Sequence, residues 1–315
     1  MNCRLICRLI WMVLLCAVSN QQAEGQEYPW SLQYVTNMHT INPAFVGIWN
    51  RSGFMASTKT NWVGFKGAPQ SQYIGYFSPI RDQKNSGVGL SVQRLNIGYE
   101  KRLSITGDYS FQIRLDMYNY LRFGMRAGII NFDNKLTDYQ LYPDRIPDDE
   151  FNQDIKLYNM TTFGLGVVFY NEHLFVSLST PQIIKNTFNV NRSIYSSTQD
   201  FKTIYLSGSY VFRLINNVNL RPNLLLASTI GKPVYYDVAG LVYLPSGLQF
   251  GINVRSIGSI CFSAQYIFKN GIKMGYASEY AFVSDIRKYQ MGTYELIVGY
   301  DLNLYRRKYL KPSYF

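Results

Sequence analysis

The stretch that decides the fold is Arg102-Leu103-Ser104-Ile105-Thr106-Gly107-Asp108-Tyr109-Ser110-Phe111-Gln112-Ile113, followed after a short polar turn by Leu121-Arg122-Phe123-Gly124-Met125-Arg126-Ala127-Gly128-Ile129. In each run the apolar residues fall on alternate positions. Leu103, Ile105, Tyr109, Phe111 and Ile113 oppose Arg102, Ser104, Thr106, Asp108, Ser110 and Gln112. Leu121, Phe123, Met125, Ala127 and Ile129 oppose Arg122, Gly124, Arg126 and Gly128. A strand projects side chains with period two, so both runs read as strands with one apolar and one polar face. Two solvents fit that pattern. In a soluble sandwich the apolar face lines a core; in a membrane barrel it meets lipid and the polar face lines a lumen.

Composition suits either. The chain has 315 residues, 16% aromatic, with 27 Tyr, 19 Phe and 24 Gly. The formal net charge is +11, but no compact Lys/Arg cluster sits within a nucleic-acid-binding motif, so nucleic acid is not an expected partner. The first 25 residues read as a secretion signal. Arg4 and Arg8 supply its charged part, positions 9–18 its apolar part, and Ala23-Glu24-Gly25 a small-x-small cleavage site, which places Gln26 first in the mature chain. Cys3, Cys7 and Cys16 leave with the signal, so Cys261 remains alone and no internal disulfide forms. No later stretch has the run of about 20 apolar residues that a membrane helix requires.

The connections separate the two solvents. About fourteen strands are expected between positions 51 and 305, an even number as a bacterial single-chain barrel requires. Every second connection is short: 79–86, 114–119, 171–172, 214–219, 244–247 and 269–271. The long ones, 62–71, 131–161, 180–202 and 281–292, all fall in the other set. A sandwich has no reason to sort its loops by parity, whereas a barrel has short periplasmic turns and long outer loops. The expected fold is therefore an all-β transmembrane antiparallel barrel in the outer membrane. Residues 26–50, irregular and rich in aromatics, are expected to form a plug or arm, with Asn42-Pro43-Ala44 as a turn. Residues 306–315 are expected to form a basic periplasmic tail.

On this reading Arg102, Asp108, Arg122, Arg126, Arg255, Glu295 and Asp301 face the lumen. A basic side chain facing lipid costs roughly 2–4 kcal/mol at the midplane, so these charges require a wet or mutually paired environment. A salt-linked packing network is the favoured role and a lining for a permeant solute the alternative. Arg122→Gln is accordingly expected to be tolerated, and Phe123→Arg to impair assembly. Pro222 and Pro233 mark an irregularity in the ninth and tenth strands. The acidic loop around Asp133, Asp138, Asp144, Asp148, Asp149, Glu150 and Asp154 lacks an EF-hand pattern and reads as solvated.

No catalytic constellation is expected. With two histidines, His39 and His173, and one mature cysteine, metal chemistry has few ligands. A Ser–His pair between His173 and Ser177 or Ser179 is the only hydrolase arrangement available, and a His at a strand end more often sits at the interface. Gly87-Val88-Gly89 and Gly164-Leu165-Gly166 lie within alternating strands and open no helix, so they are not phosphate loops. No cofactor is expected.

Five stretches point to a family: Ile41-Asn42-Pro43-Ala44-Phe45-Val46-Gly47, Trp62-Val63-Gly64-Phe65-Lys66-Gly67-Ala68-Pro69, Gly87-Val88-Gly89, Gly107-Asp108-Tyr109 and Gly292-Thr293-Tyr294-Glu295. In order and spacing they resemble the PorP/SprF family of the type IX secretion system of Bacteroidetes. The resemblance implies a non-enzymatic outer-membrane barrel that supports export and surface delivery of proteins carrying a C-terminal secretion signal. Its implied partners are periplasmic and outer-membrane components of that system, secreted cargo, and membrane lipid. Trp62, Phe65 and Lys66 of the first long loop, and Arg306, Arg307 and Lys308 of the tail, are the candidate partner-binding residues. Asn42 and Pro43 mark the candidate plug. The alternatives are a channel for small hydrophobic solutes and a soluble secreted β-module.

Overall fold

The computed structural model describes residues 31–48, 51–80, 85–138, 154–183, 202–282 and 291–302. The expected signal sequence, the expected basic tail with Arg306, Arg307 and Lys308, and the acidic residues Asp144, Asp148, Asp149 and Glu150 lie outside the described residues.

Fifteen strands follow in antiparallel order. They are β1 (Ser52–Thr60), β2 (Gln70–Pro79), β3 (Ser86–Ile97), β4 (Glu100–Arg114), β5 (Tyr120–Asn134), β6 (Ile155–Tyr170), β7 (Leu174–Thr180), β8 (Thr203–Tyr210), β9 (Phe212–Arg213), β10 (Asn219–Thr229), β11 (Tyr235–Tyr243), β12 (Leu248–Arg255), β13 (Ser259–Ile267), β14 (Ile272–Ala281) and β15 (Thr293–Leu302). β15 pairs with β1, and β10 with both β8 and β11, so fourteen strands close the sheet. β9 pairs only with β10, in the register β8 already has. The ladder lapses where Tyr210 would face Pro222, which has no N–H to give. The expected irregularity at Pro222 is thus a break in one strand line rather than an extra stave.

The register closes with a stagger. From Gly107 the partners run through Leu90, Tyr76, Phe54 and Tyr300 to Ile272. From Ile113, six residues along β4, they run the other way, through Leu121, Phe169, Val176, Gly208, Leu224, Val238, Val254 and Ile260, to Tyr280, eight residues from Ile272. The stagger of about 14 residues over fourteen strands fits the tilt of roughly 35–45° of barrel strands.

Burial identifies the solvent. On β5, Arg122 is 1% exposed and its neighbour Phe123 is 44% exposed. Phe54, Ile74, Leu90, Leu103, Ile105, Phe111, Met125, Leu178, Leu206, Phe250, Phe262, Leu296 and Val298 are all exposed, while Lys59, Asp108, Arg126, Arg221, Asp237, Arg255 and Glu295 are buried. Water would reverse that arrangement, because exposed apolar side chains lose the hydrophobic stabilisation of burial and buried charges lose hydration. Lipid outside and a filled, polar interior satisfy both. No described helix is long and apolar enough to cross a membrane, so the strands do the crossing.

β5 and β6 run further than the sequence indicates. Their ladder continues past Ile129 to Asn134 and Ile155, so the loop expected over 131–161 narrows to 135–154. The apolar alternation stops at Ile129, while backbone pairing goes on with Asn131 and Asp133 in the outward phase. Asp154 at the hairpin base accepts from the Thr137 hydroxyl at 2.9 Å.

Candidate functional site

The interior is occupied by residues 31–48. Three single-turn 3-10 helices, Tyr34–Thr36, Met38–Thr40 and Pro43–Phe45, make up half of this segment. The last begins where Asn42-Pro43-Ala44 reads as a turn. The Asn42 side chain accepts from the Ala44 N–H at 2.9 Å, with Pro43 at the first position of the turn. An Asn cap satisfies an otherwise orphan donor, and proline there gives up none.

One side of the segment is apolar. Tyr34, Val35, Met38, Ile41, Ala44 and Phe45 are buried against Val168, Phe175, Tyr205, Leu225, Tyr235 and Leu241 on the inner faces of β6, β7, β8, β10 and β11. Phe45 meets Phe175 edge to face, ring centroids 5.2 Å apart. The lumen wall on that side is therefore apolar, contrary to a uniformly polar lining. The reason is the segment itself, which replaces water as the neighbour.

The other contacts are polar. Arg126 grips Asp108 through Nε–Oδ1 at 2.7 Å and Nη2–Oδ2 at 2.8 Å, and also donates to the carbonyls of His39 and Thr40 at 2.7 and 2.9 Å. Arg122 donates to the Val46 carbonyl at 2.8 Å and to Ser110 Oγ and Gln112 Oε1. Ser110 and Ser179 donate to the carbonyls of Val46 and Ile41 at 2.6 and 2.9 Å. At the other end of the segment, Glu295 accepts from Ser31 Oγ at 2.9 Å and the Gln33 N–H at 3.1 Å. The Tyr34 hydroxyl donates to Asp237 Oδ1 at 3.0 Å and accepts from Asn223. Arg255 donates to Asp237 at 2.9 Å and Glu279 at 3.0 Å. Buried charges persist only when paired and hydrogen-bonded, and the barrel wall and the segment supply the partners jointly.

Three glycines make room for the segment. A Cβ on Gly124 would collide with the Ala44 backbone, one on Gly166 with the Asn42 side chain, and one on Gly87 would lie 2.6 Å from the Val46 carbonyl. Gly87 and Gly166, read from sequence as ordinary strand glycines, are thus needed for close approach, Gly87 by the segment's backbone and Gly166 by the Asn42 side chain.

The sequence-derived lumen residues Asp108, Arg122, Arg126, Arg255 and Glu295 all converge on this interior network. Asp301 faces inward near the opposite end of β15, where it takes Lys273 at 2.9 Å and Arg51 at 3.0 Å. Arg102 turns to Glu100 at 3.2 Å. Sequence reasoning missed Lys59, Arg221, Asp237, Lys273 and Glu279. All five share the inward phase of their strands, a signal that was present. Arg221, one residue before Pro222, donates to Ser209 Oγ at 2.9 Å and Tyr243 Oη at 3.1 Å, and lies 5.4 Å from the Phe175 ring centroid. Trp62, Phe65 and Lys66 stand apart, in the first long loop. There Trp62 has positive φ (45°) and Phe65 is exposed. The loop is tied down by Val63 N–H to Gly292 O and Met291 N–H to Val63 O, at 2.9 and 2.8 Å. The imagined Ser–His pair is not assembled. Ser177 bonds Ser207, Ser179 bonds Ile41 and His173 lies beside Tyr210. Among the described residues no group of three or more His, Cys, Asp or Glu could hold a metal ion.

Solved structures similar to this chain include Acinetobacter baumannii outer membrane protein Omp33, at 8% identity, covering 81% of this chain and 100% of that one with a TM-score of 0.47. A Pseudomonas aeruginosa FadL homologue is 12% identical, covers 89% of this chain and 96% of its own, and gives a TM-score of 0.48. At that distance the role of neither transfers to this chain. No curated protein matches. The family described as type IX secretion system membrane protein PorP/SprF matches residues 23–300, a span that takes in the interior segment and nearly all of the barrel, and the chain belongs to that family.

Proposed function

We propose that this barrel is an outer-membrane component of type IX secretion that supports export and surface delivery of proteins with a C-terminal secretion signal. It does so as an adaptor between the membrane and periplasmic secretion components, and cargo does not pass through its lumen. In this reading residues 31–48 are a plug, and Trp62, Phe65, Lys66 and the basic tail are contact points for partners. The observation that carries it is the interior: Arg122 and Arg126 hold the Val46, His39 and Thr40 carbonyls while Phe45 packs on Phe175. A lumen so filled has no path for a folded cargo domain, which leaves the loops, turns and tail for partner contacts. Non-enzymatic action is part of the same proposal, in keeping with membership of a secretion-system membrane family.

The test is a deletion strain. Cargo is expected to accumulate in the periplasm while other barrels assemble normally, and complementation restores export. Unchanged cargo export would end the adaptor reading. Purified protein in liposomes separates it from a small-solute channel: the adaptor gives no steady conductance or solute uptake, the channel gives both.

A further inference from the structure

We propose that residues 31–48 thread the barrel from one mouth to the other, so that Ser31 lies at the long-loop mouth although β1 starts at the short-turn mouth. The depth of each anchor carries this. Ser31 and the Gln33 N–H bind Glu295, two residues in from Thr293, the long-loop end of β15. Tyr34 binds Asp237, two residues in from Tyr235, the long-loop end of β11. Further along the segment, Val46 binds Arg122, two residues in from Tyr120, the short-turn end of β5. Gly47 lies against Gly87, the second residue of β3, and Pro79, the last of β2, both at the short-turn end. Ser52 then opens β1 at that same end. The anchors at the start of the segment thus lie near the long-loop mouth and those at its end near the short-turn mouth.

A threaded segment differs from a hairpin plug, which enters and leaves by one mouth. Its two ends report to opposite faces of the membrane, and the carbonyl clamps at Arg122 and Arg126 set its position between them. Ser31 and the start of β1 lie at opposite mouths of a ring of fourteen paired strands, so the ring encloses the segment. The sidedness rests on the outward placement of the long loops; the threading does not.

Single cysteines in full-length protein carrying Cys261→Ser test both. Phe65→Cys in the first long loop marks one face, Met117→Cys in the β4–β5 turn the other, and Glu27→Cys the chain ahead of Ser31. Intact cells are treated with a membrane-impermeant maleimide before and after permeabilisation. Threading predicts that Glu27→Cys labels under the same condition as Phe65→Cys, and outward long loops predict that this condition is intact cells. Labelling of Glu27→Cys together with Met117→Cys, or only after denaturation, overturns the threading. If Phe65→Cys and Glu27→Cys both require permeabilisation, the threading stands and the sidedness fails.

Discussion

Asp108 and Arg126 face each other across the β4–β5 ladder and form a two-pronged ion pair, with N–O separations of 2.7 and 2.8 Å. The same guanidinium reaches the carbonyls of His39 and Thr40. One side chain thus belongs both to the barrel wall and to its filling.

Removing half of that pair strands the other half. Arg126→Leu is expected to destabilise the folded barrel by about 3–5 kcal/mol, the usual cost of leaving a buried charge uncompensated. The double variant Asp108→Leu/Arg126→Leu is expected to recover most of the loss. Urea unfolding in detergent, followed by heat-modifiable gel mobility, measures both. A double variant as unstable as the single would show that the carbonyl bonds, and not the stranded carboxylate, dominate.

Phe123 and Arg122 are adjacent but meet different media. Phe123→Arg places a charge against lipid, at up to about 2–4 kcal/mol at the midplane, and is expected to lower the assembled fraction in the membrane. Arg122→Gln keeps the lipid face intact, so assembly persists as expected from sequence. It loses the charge-assisted bond to Val46, worth about 1.5–3 kcal/mol, and loosens the segment. Protease accessibility of residues 31–48 in assembled protein distinguishes a loosened segment from an unaltered one.

Gly124 is the tightest seat of the segment's backbone. A methyl there occupies the position of the Ala44 backbone, so Gly124→Ala is expected to displace residues 42–47 while the β4–β5–β6 ladder still forms. Planar-bilayer recordings should then show conductance absent from the parent protein. A silent Gly124→Ala barrel that retains its parent stability would mean that the segment shifts without opening a path.

The β4–β5 turn offers a pH readout. The Asp116 carboxyl accepts from the Asn119 side chain at 2.7 Å and from the Tyr118 and Asn119 N–H groups at 2.8 and 2.9 Å. The Asn119 side-chain bond foremost, then these backbone bonds, hold it below the usual carboxylate range. A depressed folded value means that the turn's contribution is present above the ordinary carboxylate pKa and is lost as pH falls through the lowered one. The Tyr118 and Asn119 amide resonances should move together in that acidic window, and Asp116→Ala should abolish the titration. Shifts that persist in Asp116→Ala would assign them to another group.

Sequence alone located most of the strands, though not the ends of β5 and β6, and favoured lipid over water. A tilted strand has a fixed period and length, and Leu103-x-Ile105 against Ser104-x-Thr106 displays both; loop parity supplied the second argument. It also placed Asp108, Arg122, Arg126, Arg255 and Glu295 on the inner face, because phase along a strand is a local property. Legibility fell at β10 and β11, where Leu224-Leu225-Leu226-Ala227 is apolar on both faces, one towards lipid and one towards the interior segment. Only the tertiary structure decided which charges meet, since Asp237–Arg255 and Arg126–His39 depend on register and on a segment far away in sequence. The same holds for the filling of the lumen. Gly124 and Gly166 look like any strand glycines until the Ala44 backbone and the Asn42 side chain are brought against them, and that approach is fixed by closure of the whole ring.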